Sequence, residues 1–265
     1  MTHGSLYSGI GGWLLAARWA GIENIFTVEI DEFCNKVLKK HFKVEQYRDI
    51  KEFDGTKYRG TIDILSTSDP CQPFSFAGRR GGKTDDRYLW PQTIRAIRKI
   101  KPSYVVFENV PGFISLGFET VASDLETEGY TVESFIIPAC AVGAWHRRDR
   151  LWVIAYNDSK RSNWESRKEI QQREFSYGIF GLYDKDVSNT TEQRLAREDK
   201  PKRSIRPYER NSGLNWRYWE TEPKLDRVVS RISGRVDRLK SLGNSIVPQI
   251  AYIIFEAIKE YDNTY

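Results

Sequence analysis

The sequence predicts an α/β fold in which a mostly parallel, Rossmann-like sheet carries helices on both faces. Residues 5–8 form a short β-prone segment that runs into a glycine-rich turn and then an apolar helical stretch at 13–20. A strand, a glycine turn and a helix in that order are the usual entry to a nucleotide-binding α/β domain. Residues 104–107 are almost wholly apolar, as expected for a central parallel strand. Strand-like and helix-like segments alternate on both sides of them.

The bulk composition is compatible with such a domain. The 265 residues suffice for one large domain, or for one large and one small domain. The apolar stretch at 13–20 contains Arg18 and follows no charged leader, so we expect no signal peptide and no membrane span. The three cysteines are widely spaced and contain no C-x-x-C pair, which predicts a reducing cytoplasm and neither a disulfide scaffold nor a metal site. A net charge of +5 is compatible with a polyanionic partner but does not identify one.

The first turn contains Gly9, Gly11 and Gly12. Glycine lets the backbone pass close to a ligand, and the N-terminus of the following helix offers free N–H groups. The pattern is not G-x-G-x-x-G, so on its own it indicates a cofactor only weakly.

Acidic residues follow the second and third predicted strands, at 24–28 and 45–47. Glu29 is placed to accept two hydrogen bonds from a ribose diol, whereas Asp31 is more simply the N-cap of a helix at 32–41. Asp49 could accept from an adenine amino group while Ile50 packs on the ring. A capping role for Asp49 is equally consistent with the sequence.

A predicted strand at 62–66 leads into the segment Asp-Pro-Cys-Gln-Pro-Phe-Ser at 69–75. The two prolines stiffen an extended loop, which presents Cys71 as a potential nucleophile. The alternative is a buried structural cysteine. The basic, glycine-rich stretch at 79–83 suits a loop that closes over phosphates, or one that is merely solvated.

Downstream, residues 89–100 have helical apolar spacing and are expected to belong to the core. Glu108 ends the 104–107 strand, where burial would raise its pKa and allow it to act as an acid. A helix at 120–128 and a strand at 131–137 follow. Arg148 and Arg150 enter a strand at 151–155 with both guanidinium groups on one side. They could hold a phosphate or a base carbonyl, or form an ordinary surface cluster.

The composition changes between residues 157 and 222, where aromatic residues lie among charges and aliphatic residues become rare. This predicts a small, loop-rich or partly disordered region, suited to nucleic acid contact or else a solvated linker. Regular α/β patterning returns near residue 234, and a helix at 249–261 is expected to pack on the first domain.

Taken together, these motifs resemble the cytosine-C5 DNA methyltransferases of bacterial or phage type, whose blocks occur here in the family's order. The matching blocks are Ser8-Gly9-Ile10-Gly11-Gly12, Pro70-Cys71-Gln72-Pro73-Phe74-Ser75, Glu108-Asn109-Val110, Arg148-Asp149-Arg150 and Gly243-Asn244-Ser245-Ile246-Val247-Pro248. The resemblance implies the S-adenosylmethionine-dependent methyltransferase fold. It implies a catalytic domain at 1–156 and 223–265 and a target recognition region at 157–222.

The resemblance also implies S-adenosylmethionine as methyl donor, released as S-adenosylhomocysteine. The positions implied to bind it are Leu6, Tyr7, Gly9, Gly11, Gly12, Glu29, Ile30, Asp49, Ile50, Pro70, Asn244 and Ser245. The positions implied to contact DNA are Gln72, Ser75, Arg79, Arg80, Asn109 and Arg238.

The implied reaction begins when Cys71 attacks C6 of a flipped cytosine, which turns C5 into an enamine carbon able to attack a methyl sulfonium. Protonated Glu108 would donate to N3. Arg150, together with Arg148, would bind the base carbonyl and favour the thiolate. The base that removes the C5 proton is not identified by the sequence.

Four positions depart from the family pattern. Ser5 replaces a usual aspartate, Tyr7 a commoner phenylalanine, and His146 a usual glutamine. Asp69 stands where small or apolar residues are preferred, and an ionised carboxylate near Cys71 would disfavour the thiolate.

Two other functions fit the same sequence. A related RNA methyltransferase acting on tRNA would share the fold and the cysteine loop, and a non-catalytic nucleic acid binding module would keep the fold without turnover. We expect a cytoplasmic monomer acting on duplex DNA, with a cognate restriction endonuclease as a candidate partner.

Overall fold

The computed structural model describes residues 1–70, 89–157 and 235–264, which include seven strands. The strands are β1 (Thr2–Leu6), β2 (Glu23–Val28), β3 (Glu45–Tyr47), β4 (Ile64–Thr67), β5 (Tyr104–Asn109), β6 (Tyr130–Pro138) and β7 (Asp149–Asn157). They form one sheet in the order β3-β2-β1-β4-β5-β7-β6. β7 runs antiparallel to both of its neighbours, and the other pairs are parallel. The predicted mostly parallel sheet is therefore confirmed.

The helices of the described residues lie between and after these strands. They are α1 (Gly12–Trp19), α2 (Glu32–His41), α3 (Trp90–Ile100), α4 (Glu119–Thr127), α5 (Arg235–Asn244) and α6 (Pro248–Thr264). Asp31 caps α2, because its Oδ1 accepts from the Cys34 N–H at 3.1 Å. This is the capping role that the sequence predicted.

Alternation along β5 separates two cores. Val105 and Phe107 pack with Ile94 and Ile97 of α3 on one face of the sheet. On the other face, Tyr104 donates to the Asp262 carboxylate of α6 at 3.1 Å. Side chains two residues apart in a strand share a face, so Glu108 lies on the α6 side, as Tyr104 does. The parity of a residue in its strand thus decides which core its side chain enters.

Several boundaries differ from those predicted. β4 is Ile64–Thr67 rather than 62–66, and β7 continues through Asn157, the first residue of the predicted recognition region. The chain enters α4 through a π-helical turn at Ile114–Phe118. Helix α5 was not predicted at all. The remainder of the predicted recognition region, 158–222, lies outside the described residues.

The strand order changes direction between β1 and β4. The chain winds outward from β1 through β2 to β3, and then returns to the other side of β1 with β4. Ligands of open α/β sheets bind outside the carboxyl ends of the strands at such a point. The residues that follow β1 and β4 are therefore the first place to seek a site. None of the described helices has the length and apolar character needed to cross a bilayer.

Candidate active site

The turn after β1 contains three glycines with different surroundings. Gly11 has φ +94°, and an added Cβ would lie 2.6 Å from Phe42 Cε2. An added Cβ at Gly12 would lie 2.8 Å from Ile246 Cγ1. At Gly9, with φ +54°, it would meet nothing within 4 Å. Gly11 and Gly12 therefore serve close packing within the protein, and Gly9 alone of the three borders open space.

Glu29 fastens this turn to the end of β2. Its Oε2 accepts from the Gly9 N–H at 2.7 Å, and its Oε1 accepts from the Asp31 N–H at 2.8 Å. Burial raises the pKa of Glu29, while these two backbone N–H groups oppose the increase. Each oxygen has a second lone pair, so the carboxylate retains capacity to accept from a diol. The neighbouring Ile30 side chain is 64% exposed and offers an apolar surface beside it.

Asp49 and Ile50, the predicted adenine contacts, follow β3. Asp49 Oδ1 accepts from the Lys51 N–H at 2.8 Å, and the Asp49 carbonyl accepts from the N–H groups of Glu52 and Phe53. Asp49 therefore closes the turn that follows β3, and its proposed contact with adenine stays a prediction. Ile50 is only 4% exposed and belongs to the core, so little of its side chain is available to a ring.

Glu108 and Arg150 form a pair at the carboxyl end of β5. Arg150 Nε lies 3.0 Å from Glu108 Oε1, and only 9% of the Glu108 side chain is exposed. Burial raises the pKa of Glu108 to about 7, although Arg150, Arg148 and a hydrogen bond from Ser68 all favour the ionised form. A carboxyl group with this pKa can both give and take a proton near neutral pH.

Arg148 takes a role that the sequence did not predict. It precedes β7 with φ +40°, and its Nη2 donates to the carbonyls of Gly243 and Ser245 at 2.8 Å each. Burial lowers the pKa of Arg148, and the charge of Arg150 adds to this effect. Arg148 thus ties the link between α5 and α6 to the site. Carbonyl oxygens already accept from one terminal nitrogen of Arg148, and the predicted contact of Arg148 and Arg150 with a base carbonyl stays a prediction.

Asp69 lies on the opposite side of the sheet from Glu108. Its Oδ1 accepts from Thr67 Oγ1 at 2.6 Å, and its Oδ2 accepts from Thr93 Oγ1 at 2.8 Å. Tyr7 Oη lies 3.2 Å from the same Thr93 oxygen. Burial raises the pKa of Asp69 to about 6. Its effect on Cys71 stays a prediction, because Cys71 lies outside the described residues.

The remaining predicted positions fall into three groups. Leu6 is fully buried and offers no exposed surface, and Asn109 Nδ2 lies 3.4 Å from the Asp69 carbonyl oxygen. Pro70 is partly buried, Ser245 Oγ donates to the Ile246 carbonyl, and Asn244 and Arg238 are exposed. Outside the described residues lie Cys71, Gln72, Ser75, Arg79 and Arg80.

Ser68 and Trp13 are polar partners that the sequence analysis missed. The Trp13 indole N–H donates to Ser68 Oγ at 2.8 Å, and Ser68 is among the groups that favour the ionised form of Glu108. Trp13 is itself almost fully buried. Counting alternate residues along β4 would have put Ser68 on the Glu108 face, but nothing local marks it as a partner of that acid.

The family model described as C-5 cytosine-specific DNA methylase matches residues 1–224. The chain belongs to that family. Enzymes of this family use S-adenosylmethionine as methyl donor.

Curated proteins that are similar in sequence to this chain include type II methyltransferases. The type II methyltransferase M.Eco47II of Escherichia coli is 33% identical over 159 residues, which cover 57% of this chain and 38% of that protein. The type II methyltransferase M.HhaI of Haemophilus parahaemolyticus is 29% identical over 176 residues, which cover 64% of this chain and 54% of that protein. The chain therefore spans about half the length of these curated relatives, or less.

Solved structures share the fold. The structure of a putative DNA modification methyltransferase encoded within an E. coli prophage matches with a TM-score of 0.52 and 25% identity, and the match covers 61% of this chain and 48% of that one. A Dnmt2 methyltransferase of S. pombe matches with a TM-score of 0.51 and 23% identity over 60% of this chain and 51% of that one. The predicted methyltransferase fold is thereby confirmed.

Proposed function

We propose that this chain transfers a methyl group from S-adenosylmethionine to C5 of a flipped cytosine in duplex DNA. The observation that carries the proposal is the buried Glu108–Arg150 pair at the carboxyl end of β5, within a chain of the C-5 cytosine-specific DNA methylase family. An acid with a pKa of about 7 and a fixed cation can stabilise the charge that nucleophilic addition places on a pyrimidine ring.

The residues near the first turn fit S-adenosylmethionine. Gly9 borders open space, Glu29 keeps two lone pairs for a ribose diol, and Ile30 offers an exposed apolar side chain for the adenine. When bound, S-adenosylmethionine would supply an electrophilic methyl group on its sulfonium and would leave as the neutral thioether. The hydrogen bonds from the Gly9 and Asp31 N–H groups fix the orientation of the Glu29 carboxylate, which the proposed contact with the ribose requires.

Cys71 supplies the nucleophile in this mechanism. Its thiolate adds to C6 of cytosine, forming a C–S bond and shifting the C5=C6 electron pair to C5, which then forms the bond to the methyl group. A base removes the C5 proton, the electron pair returns to the ring, and the C–S bond breaks to regenerate the thiolate. Each step balances without an oxidant or reductant.

Glu108 and Arg150 stabilise the charge that this addition creates. The protonated Glu108 donates to N3 as Cys71 adds to C6, so negative charge does not accumulate on the ring. Arg150 lies on the Glu108 side of the sheet and can direct its remaining N–H groups to the base carbonyl. Arg148 contributes through its position, because it fixes the segment at Gly243–Ser245 next to the turn.

Two incubations test the proposal. The protein is mixed with labelled S-adenosylmethionine and either duplex DNA or tRNA, and we expect label in the DNA. Label in tRNA alone would instead support the RNA methyltransferase reading. A duplex carrying 5-fluorocytosine should trap a covalent complex, because fluorine at C5 cannot leave as a proton. A complex that persists in Cys71→Ser would contradict the mechanism.

The regions and partners beyond the site stay predictions. Residues 158–222 are proposed to recognise the DNA target, with the basic positions Arg79, Arg80 and Arg238 contacting its backbone. A monomeric state, a cytoplasmic location and a restriction endonuclease partner are likewise proposals. Methylation-aware sequencing of DNA from expressing cells would show the recognised sequence.

A further inference from the structure

One buried hydroxyl group lies between two positions that depart from the family pattern, Tyr7 and Asp69. It belongs to Thr93, near the start of α3, a residue with no exposed surface. Thr93 Oγ1 donates to Asp69 Oδ2 at 2.8 Å and lies 3.2 Å from the Tyr7 hydroxyl oxygen. Tyr7 follows β1 and Asp69 follows β4, so the two positions flank the point where the strand order changes direction. A single side chain of α3 therefore contacts the residues that leave both strands.

The hydrogen bonds of this connection have fixed directions. Burial raises the pKa of Asp69 to about 6, so its carboxyl group is mostly ionised at pH 7 and can only accept. The single hydroxyl hydrogens of Thr67 and Thr93 therefore point at the carboxylate, at 2.6 and 2.8 Å. Thr93 Oγ1 keeps lone pairs and accepts from the Tyr7 hydroxyl, which lies nearer to it than to the Leu89 carbonyl oxygen at 3.4 Å. The hydrogen bonds thus run from Tyr7 through Thr93 to Asp69.

At the Tyr7 end, the connection supports an unfavourable backbone conformation. Tyr7 has φ +50°, in the left-handed region that an aromatic residue seldom occupies. Consecutive residues of a strand point to opposite faces, yet the Tyr7 ring packs against the same core cluster that contains Leu6. The left-handed conformation makes this possible, and the buried partner of the hydroxyl holds it. Gly9, whose N–H meets Glu29 at 2.7 Å, lies only two residues further along the turn. The position of Tyr7 therefore bears on the proposed cofactor space.

At the Asp69 end, hydrogen bonds fix the start of the cysteine loop, residues 69–75. Hydroxyl groups from β4 and α3 hold the carboxylate, and the Asp69 carbonyl oxygen lies 3.4 Å from Asn109 Nδ2. Asp69 is thus tied to β4, α3 and the end of β5 directly before Pro70. Proline fixes its own φ and restricts the residue before it, which limits the directions in which the chain can leave this anchor.

We propose that Thr93 is a positioning residue whose hydroxyl group holds Tyr7 in the first turn and Asp69 at the start of the cysteine loop. This inference rests on the proposed function, in which the first turn binds S-adenosylmethionine and Cys71 is the nucleophile. It gives the departures at Tyr7 and Asp69 a shared role, because both make use of the same hydroxyl group. It also predicts two separable effects, on cofactor affinity through Tyr7 and on methyl transfer through Asp69.

Calorimetry with S-adenosylmethionine and single-turnover methylation of duplex DNA separate the two effects. Tyr7→Phe removes a hydrogen bond between neutral groups, so it should raise the Kd by about 2–10-fold and leave the rate at saturating cofactor nearly unchanged. Asp69→Asn should instead lower that rate by about 10-fold, because one hydroxyl group loses its charged acceptor. Thr93→Val keeps the shape of the side chain without its hydroxyl group and should produce both changes.

Two further variants show whether the hydroxyl group or the packing is responsible. Thr93→Ser keeps the hydroxyl group and should restore both the Kd and the rate. Thr27→Val is the matched control, because Thr27 is fully buried in β2 and its hydroxyl oxygen has no hydrogen-bond partner in the part of the chain that the structure describes. It removes a buried hydroxyl group of the same kind and should change neither quantity. Urea denaturation confirms that each assayed variant is folded.

An unchanged Kd and rate in folded Thr93→Val would overturn the inference, and so would equal losses in Thr27→Val. If Thr93→Val does not fold, an unchanged Kd in Tyr7→Phe would overturn it instead. A wild-type protein that methylates neither DNA nor tRNA would refute the proposed function. In that case, a raised Kd in Thr93→Val but not in Thr27→Val would leave the connection between Thr93 and the first turn standing.

Discussion

Arg150 and Glu108 are diagonal neighbours on adjacent antiparallel strands, with Arg150 Nε 3.0 Å from Glu108 Oε1. Glu108 pairs with Trp152, and Arg150 lies two residues before Trp152 on the same face of β7. The pair depends on β7 lying next to β5 and running against it. A parallel β7 would turn its first residues toward the other end of the sheet and leave the buried acid without this cation.

Removing Arg150 should impair the reaction more than the fold. In Arg150→Gln, Glu108 loses its cationic partner, the pKa of Glu108 rises further, and the base carbonyl loses a donor. We expect the single-turnover methylation rate to fall by about 10²–10³-fold, as for the loss of one charge-stabilising donor. Arg147→Gln is the control, because Arg147 forms an exposed pair with Asp149 at 2.8 Å and its side chain is 81% exposed. Equal rate losses in the two variants would contradict the assigned role.

Glu29 should be the main determinant of cofactor affinity. In Glu29→Gln, one amide NH₂ must face either the Gly9 or the Asp31 N–H, so one backbone donor is left unpaired. Loss of a charge-assisted bond to the ribose adds to this cost. We expect the Kd for S-adenosylmethionine, measured by calorimetry, to rise by about 10–100-fold. Glu32→Gln, which removes an exposed pair with Lys36 on α2, should leave the Kd unchanged.

Local sequence signals predicted most of the framework correctly. Asp31 before an amphipathic segment correctly predicted α2 from Glu32 to His41, because an N-cap and a helical apolar period depend only on residues close in sequence. Helix α5 was missed even though Val236, Leu239 and Leu242 recur at a spacing of three. This helix relies on distant partners, since Lys240 lies 3.2 Å from Asp31 and Ser241 lies 3.5 Å from Cys34.

The site was only partly predictable for the same physical reason. Glu108 could be identified because its position at a buried strand end is a local property. Its connection to Ser68 and Trp13 could not, because it depends on where three separate elements meet. The two carboxyl groups Asp69 and Glu108 enter opposite cores, because Asp69 accepts from Thr93 of α3 whereas Glu108 shares its face with Tyr104, which contacts α6.

The glycines of the first turn should separate stability from binding. Gly11→Ala forces a methyl group to within 2.6 Å of Phe42 at φ +94°, so strain and overpacking should together lower the free energy of unfolding by about 2–5 kcal/mol. Gly9→Ala meets open space and should cost about 1–2 kcal/mol from its positive φ alone. Its methyl group would enter the proposed cofactor space, so Gly9→Ala should weaken S-adenosylmethionine binding more than its stability loss suggests. Urea denaturation and calorimetry measure the two effects, and unimpaired binding by Gly9→Ala would place the cofactor elsewhere.

Asp69 should make the fold less stable as pH rises. Burial raises its pKa from 3.8 to about 6, so the folded state binds the proton more tightly than the unfolded state does. The stabilisation by protonated Asp69 is therefore fully present below pH 3.8 and is lost as pH rises through 6, which lowers the free energy of unfolding by up to about 3 kcal/mol. In urea denaturation, the free energy of unfolding of Asp69→Asn should rise relative to that of the wild type as the pH increases from 4 to 6.5. Asp54→Asn, at an exposed pair with Lys99, should show no comparable gain over that interval.

His3 should make the fold more stable as pH rises over the same interval, which is opposite to the effect of Asp69. Its Nδ1 lies 2.7 Å from Asn24 Oδ1 and its Nε2 lies 2.8 Å from Ser66 Oγ, in the interior of the domain. Asn24 Nδ2 already donates to the Leu14 carbonyl, so Asn24 Oδ1 faces His3, Nδ1 carries the hydrogen and Nε2 accepts from Ser66. Protonation would therefore require the Ser66 hydroxyl hydrogen to turn away from Nε2.

Burial lowers the pKa of His3 from 6.5 to about 4, because the charged ring would be fully desolvated. The stabilisation is present above pH 6.5 and is lost as pH falls toward 4, by up to about 3 kcal/mol. His3→Gln keeps one donor and one acceptor and should lose this dependence, so its unfolding free energy should approach or exceed that of the wild type at pH 4. His41→Gln, at the exposed end of α2, is the matched control. Because Asp69 and His3 oppose each other between pH 4 and 6, the wild-type curve should be flatter than that of either variant, and a steeper wild-type curve would contradict one of the two assignments.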